Sequence, residues 1–176
     1  MLQIPLLSFL LLTTGVAHAQ AAASLSKQPV RVNIQRVVDG DSIHVRLTDD
    51  MLIEGLGRGS NVKVRIHGID APERCQAWGR ESTKALRQML PVGSTAQLIM
   101  RGTDRYGRVL ADVHVGTNDV GAAMVATGNA WNWIDKKSRG RYANEERDAR
   151  KRSTGLWHDG NAVRPRDFRK EHGPCK

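Results

Sequence analysis

The chain has 176 residues, with 27 Lys and Arg against 18 Asp and Glu, two cysteines and a formal net charge of +9; that length suits one compact domain and leaves too little for two well-built ones. A basic surface attracts polyanions by its field and by counterion release, although charge alone does not separate a nucleic-acid binder from a protein with a solvated basic tail. Cys75 and Cys175 stand far apart, with no paired histidines nearby, which argues against a zinc site or a cysteine-rich scaffold.

Residues 1–19 form an uncharged apolar run closing on Ala17-His18-Ala19, which reads as a secretory signal peptide cleaved before Gln20, although no Lys or Arg precedes the run. No other segment approaches the roughly 20 apolar residues that a membrane-spanning helix needs. The mature chain is therefore expected outside the cytoplasm, secreted or periplasmic, as a soluble monomer without a membrane anchor. In that compartment a Cys75–Cys175 disulfide is favoured over two free thiols, and it would pin the C-terminal tail to the body. Residues 20–29 are small and polar without periodicity and read as a loose leader.

The fold is expected over residues 30–160. Val30, Val32 and Ile34 alternate with polar residues, and Ile43, Val45 and Leu47 do the same beyond the turn signal Asp39-Gly40, which predicts a β-hairpin. A long loop from Thr48 to Asn61 leads to a third strand through Val62, Val64 and Ile66. After Pro72 the period changes: Trp78, Ala85, Leu86, Met89 and Leu90 fit one helical stripe ending at Pro91-Val92-Gly93. Ala96, Leu98 and Met100, then Val109, Ala111 and Val113, restore the period of two around a loop at 102–108. Asn118 is placed as the N-cap of a helix from Val120 to Thr127, and a last charged helix runs from Ala143 to Ser153. Five strands with a helix after the third predict an α+β fold, mainly a β barrel of the OB type. Residues 161–176 read as a basic C-terminal tail; from Lys136 to Lys176 there are thirteen Lys and Arg against six Asp and Glu.

Three loop segments gather charged residues: Asp39-Gly40-Asp41, Arg65 with Asp70-Ala71-Pro72-Glu73, and Asp104-Arg105-Tyr106-Gly107-Arg108. Each alone could be a turn or a helix start. Carboxylates and arginines in separated segments become useful only if they converge on one mouth of the barrel.

Those segments, extended to Val37–Ser42 and Val64–Glu73, together with Gly128-Asn129-Ala130-Trp131 and Gly155-Leu156-Trp157, resemble the signature segments of the staphylococcal nuclease (thermonuclease) family. The likeness runs from about Val30 to His158. It implies a five-stranded OB barrel with three helices and a hydrolase that cleaves DNA and RNA without preference for the sugar, leaving 3′-phosphate ends. Asp41, Asp70 and the backbone carbonyl of Ala71 would ligate Ca2+, a hard cation suited to oxygen donors. Arg65 and Arg108 would grip the phosphate, Glu73 would orient or deprotonate the attacking water, and Tyr106 would help bind substrate. Asp39 is read as a turn builder rather than a metal ligand. Trp131 and Trp133 stay open between core packing and base stacking, and Lys136, Lys137, Arg139 and Arg141 between tracking the substrate backbone and a solvated loop. The alternative to an enzyme is a catalytically silent OB module that only binds nucleic acid, a form in which one or more of these acids and arginines is usually missing.

Overall fold

The computed structural model describes residues 28–48, 56–134, 138–173 and 175. The signal at 1–19, most of the leader, the middle of the loop at 48–61, and Lys136 and Lys137 lie outside them.

Period-two alternation becomes strand wherever the sequence carries it. β1 (Val30–Val37), β2 (Ser42–Leu47), β3 (Asn61–Ile66), β5 (Thr95–Thr103) and β6 (Val109–Val115) turn their apolar residues inward. They pair in the order β3-β2-β1-β5-β6. Every pairing in that series is antiparallel. A parallel pairing of β3 with β6, with Val64 opposite Val109 and Arg65 opposite Leu110, closes the sheet on itself. The result is the five-stranded barrel that the alternation predicts, with no free edge at the seam. Val32, Ile34, Ile43, Val45, Val64, Leu98, Ala111 and Val113 fill its interior at 0% exposure; each Val, Ile or Leu among them contributes about 1.5–3 kcal/mol of burial.

Helix α1 (Gly79–Met89) lies against the barrel through Leu86, and Leu90 just beyond it is equally buried. Helix α2 (Val120–Ala126) follows β7 (Asn118–Asp119). Its cap is Asp119 and not Asn118: the Asp119 carboxylate accepts from Ala122 N at 3.1 Å, while Asn118 pairs with Val115 as the last ladder position. Helix α3 (Ala143–Lys151) starts as expected and ends two residues early. Ser153 and Gly155 then turn the chain at positive φ.

A pair of two-residue strands, β4 (Ile69–Asp70) and β8 (Trp131–Asn132), is too short for any periodicity to reveal. Beside it a small second core gathers Trp131, Ala149, Leu156 and Trp157, with the Trp131 and Trp157 rings edge to face at 4.3 Å. Trp131 is thus a packing residue. The two late motifs of the family resemblance meet here, since Leu156 N donates to Gly128 O at 2.8 Å.

Residues 161–176 are more than a tail. They contain a fourth helix, α4 (Pro165–His172), opened by a proline at its first turn, where the missing N–H costs nothing. A Cys75–Cys175 disulfide, Cα atoms 5.7 Å apart, ties the far end of this segment to the loop before α1. Among the described residues no helix is long and apolar enough to cross a membrane.

Candidate active site

The turn between β1 and β2 is built by its own side chain: Asp39 Oδ1 accepts from Asp41 N at 3.1 Å. Between these acids Gly40 leaves no room for a side chain, because a Cβ there would lie 1.9 Å from Ser82 Oγ and 2.7 Å from Ala71 Cβ. The turn is therefore wedged against α1 on one side and the Asp70-Ala71 segment on the other. Asp41 Oδ2 accepts from Ala71 N at 3.0 Å, and Ile66 N donates to Asp41 O at 2.8 Å. Segments thirty residues apart are locked together by the Asp41 carboxylate and a main-chain N–H before any substrate arrives.

The barrel seam supplies the arginines. Arg65 stands on β3 opposite Ser42 on one neighbour and Leu110 on the other, and Arg108 immediately precedes β6. Asp104 shapes the loop before Arg108, accepting from Tyr106 N, Arg108 N and Arg108 Nε at 2.9, 3.0 and 2.8 Å. Arg108 Nη1 donates to Ser42 Oγ at 3.2 Å, and Ser42 Oγ donates to Asp41 Oδ1 at 2.8 Å. One hydrogen-bonded chain thus runs from Arg108 to Asp41.

These elements open on a cavity of about 800 Å³ lined by Asp41, Arg65, Ala71, Glu73, Tyr106 and Arg108. Six of the seven residues singled out in the sequence share that wall; the seventh, Asp70, is buried behind it and bonded to Arg65 Nη2 at 3.0 Å. Asp39 also faces the cavity while building its turn. Tyr106 is 68% exposed at the rim, where it accepts from Arg105 Nη2 at 2.7 Å and lies within 5.7 Å of the Arg108 guanidinium. Among the lining residues not singled out as site residues are Trp133, whose ring lies 5.9 Å from the Arg65 guanidinium, and Arg169 of α4. The charged run around Arg169 gave no signal that could have found it.

Electrostatics at this mouth are unbalanced. Burial would raise Asp41, but Arg65, with hydrogen bonds from Ala71 N and Ser42 Oγ, holds it below the usual carboxylate range. Burial and the charge of Asp41 push Asp39 and Asp70 up to about 6 each. Arg65 is the guanidinium paired with both Asp41 and Asp70, and its Nη1 is buried 2.5 Å from Asp41 Oδ2. Among the described residues no three His, Cys, Asp or Glu side chains gather as a metal cluster. Two carboxylates and a carbonyl form a sparser set, and its all-oxygen chemistry with excess negative charge fits a hard divalent cation completed by water.

A second charged cluster, which shares His67 with the cavity lining, serves stability. Asp112 on β6 is wholly buried, and accepts from Arg101 Nε at 2.9 Å and Arg141 Nη1 at 2.5 Å, with His67 Nδ1 at 3.1 Å. Arg141 is thereby committed to an internal pair rather than free to follow a substrate backbone. Burial would raise Asp112, but the hydrogen bonds from His67 and Arg101 and the charge of Arg141 hold it far below the usual range. A folded pKa below the unfolded one means that the contribution is complete above the unfolded value, about 3.9, and drains away as pH falls toward the folded value. Asp112→Asn should therefore lose about 2–3 kcal/mol in urea unfolding at pH 7, the low side of a broken buried pair because both arginines are partly solvated. The gap from the parent should narrow below about pH 4; a gap constant down to pH 2.5 would assign the loss to packing instead.

Acids and two arginines thus converge on one mouth of a closed OB-type barrel. The family model described as "Staphylococcal nuclease homologue" matches residues 63–159. An "Uncharacterized endonuclease" of Haemophilus influenzae is 31% identical over 162 residues, covering 92% of this chain and 85% of that protein. "Protein ParB" of Escherichia coli is 34% identical over 179 residues, covering 93% of each. A "Probable staphylococcal-like nuclease CAN3" of rice, Oryza sativa, is 32% identical over 109 residues, which are 62% of this chain and 29% of the plant protein. The chain belongs to the staphylococcal nuclease family, and nucleic acid is its substrate class.

Proposed function

We propose that the protein is an exported, calcium-dependent nuclease that hydrolyses phosphodiester bonds of both DNA and RNA and releases 3′-phosphate ends. The observation that carries this reading is the convergence of Asp41, Arg65, Glu73 and Arg108, from separate segments of the chain, on one cavity. The Cys75–Cys175 disulfide supports export, and the product assignment rests on the family resemblance.

Arg65 and Arg108 present planar forks that match a phosphate, and both reach the cavity from a rigid barrel seam, so the phosphate is fixed between them. As water adds to phosphorus, negative charge grows on the equatorial oxygens, and the two guanidinium groups neutralise it where it develops. Glu73, at the cavity wall, accepts the proton of the attacking water or holds that water in line. The bond from phosphorus to the 5′ oxygen then breaks, the 5′ oxygen takes a proton from solvent and leaves as a hydroxyl, and the phosphate stays on the 3′ side. A Ca2+ held by Asp41, Asp70 and the Ala71 carbonyl would add Lewis-acid stabilisation of the same charge. The acids and arginines of this wall match a phosphate and a cation rather than a base edge, which supports indifference to sugar and base.

The test is to incubate the purified mature chain with single- and double-stranded DNA and RNA in calcium, in magnesium and in chelator, and to analyse product ends. Cleavage of both nucleic acids with calcium, far less with magnesium and none with chelator, yielding 3′-phosphates, is expected. Undiminished cleavage in chelator, or binding without cleavage in every metal, would remove the reading.

A further inference from the structure

We propose that Arg169, carried on the disulfide-tethered helix α4, is a positioning residue for Glu73, so that the C-terminal segment completes the active site. This rests on the reading of Glu73 given above and extends it to a part of the chain outside the segment that the family model matches, residues 63–159.

The contact is direct: Arg169 Nη1 donates to Glu73 Oε1 at 2.5 Å. Among the described residues Glu73 Oε2 has no hydrogen-bond partner, so the pair spends one carboxylate oxygen on orientation and leaves the other for water. The segment carrying Arg169 is clamped to the loop carrying Glu73 at both ends. Gln76 Nε2 donates to Val163 O at 2.7 Å before α4, and Cys175 is bonded to Cys75 after it. Gln76 also accepts from Glu73 N at 3.1 Å, which links that clamp to the backbone of the glutamate. Arg164, one residue before α4, lies over the Trp131 ring at 4.5 Å and 3.9 Å from Glu146, anchoring the segment to the second core.

A purely stabilising role explains little of this. The Arg169 side chain is 39% exposed and that of Glu73 26% exposed, and an ion pair so solvated is worth about 0–1 kcal/mol. Orientation is a different matter, since a carboxylate held in one rotamer delivers its free oxygen to one place, and small displacements at a reacting centre cost large factors in rate. A half-solvated arginine held at both ends of its segment therefore has more to contribute to geometry than to folding.

The test is a double-mutant cycle on the full mature chain, with single-stranded DNA as substrate and calcium present. Arg169→Ala is expected to lower kcat by about tenfold with KM changed less than about twofold, and to leave the melting temperature in place. Arg169→Lys should recover part of the loss, because a cation returns without the fork. In a Glu73→Gln background Arg169→Ala should bring no further loss, since its effect passes through the carboxylate. Replacing both cysteines by serine should reproduce the Arg169→Ala defect, and the two changes together should not multiply. Wild-type or raised kcat in Arg169→Ala, or an equal loss in both backgrounds, overturns the proposal while leaving the active-site reading intact. A fully active Glu73→Gln enzyme overturns both, which keeps the two failures apart.

Discussion

In Glu73→Gln, kcat on single-stranded DNA should fall by about a thousandfold, the middle to upper range for removing a group that handles a proton in the transition state. The amide keeps the shape of the carboxylate and can still accept from Arg169, so the loop should hold its course. What disappears is the negative charge that receives or aligns the proton of water. Far-UV circular dichroism and the melting temperature should stay with the parent, because the side chain is partly exposed and its hydrogen bond is with a half-solvated arginine. A variant within about tenfold of the parent would take Glu73 out of the chemistry.

Arg108→Gly should lower kcat by about a hundredfold to a thousandfold, the cost of deleting one preorganised donor to developing charge. Its loop does not depend on the side chain alone, since Asp104 N donates to Arg108 O at 2.9 Å and Asp104 Oδ1 accepts from the backbone N–H groups of Tyr106 and Arg108. Loss of the guanidinium does free Asp104 Oδ2 and the link to Ser42, and an added glycine costs about 1 kcal/mol of conformational entropy. Stability should therefore drop modestly while activity collapses. Arg108→Lys should regain only part of the rate, because an ammonium cannot reproduce the planar fork. A variant that keeps its rate and loses only substrate affinity would place Arg108 in ground-state binding.

What could be read before the structure was known divides along physical lines. Strands β1, β2, β3, β5 and β6 were legible because each has one wet and one dry face, and α1 because its apolar residues fall on one stripe. Strands β4 and β8 were not, since two residues carry no period, and α4 was not, since a run such as Arg166-Asp167-Phe168-Arg169-Lys170 reads as solvated charge. Asn118 and Asp119 are both good capping residues, and only the ladder partner of Asn118 decides between them. Asp112 sits in an alternating strand where a polar residue should face water; the arginines that cover it come from a neighbouring strand and a distant loop. At the site, Asp41, Arg65, Asp70, Glu73 and Arg108 were marked by motif, whereas the pairing of Arg65 with Asp41 and Asp70 and the convergence of Asp41, Arg65, Glu73 and Arg108 on one cavity needed the closed barrel. Arg169 shows the limit most clearly, because its partner is 96 residues away and no local pattern announces it.

The parallel pairing of β3 with β6 makes assembly of the site depend on closure of the barrel. Those strands are joined by way of α1 and β5, a long-range pairing whose loop-closure entropy must be lost before its contacts are gained. Arg65, on β3, and Arg108, immediately before β6, reach their common cavity through that closed seam. A chain in which β3 and β6 have not yet paired accordingly lacks the assembled pair of arginines, whatever local structure it has already formed.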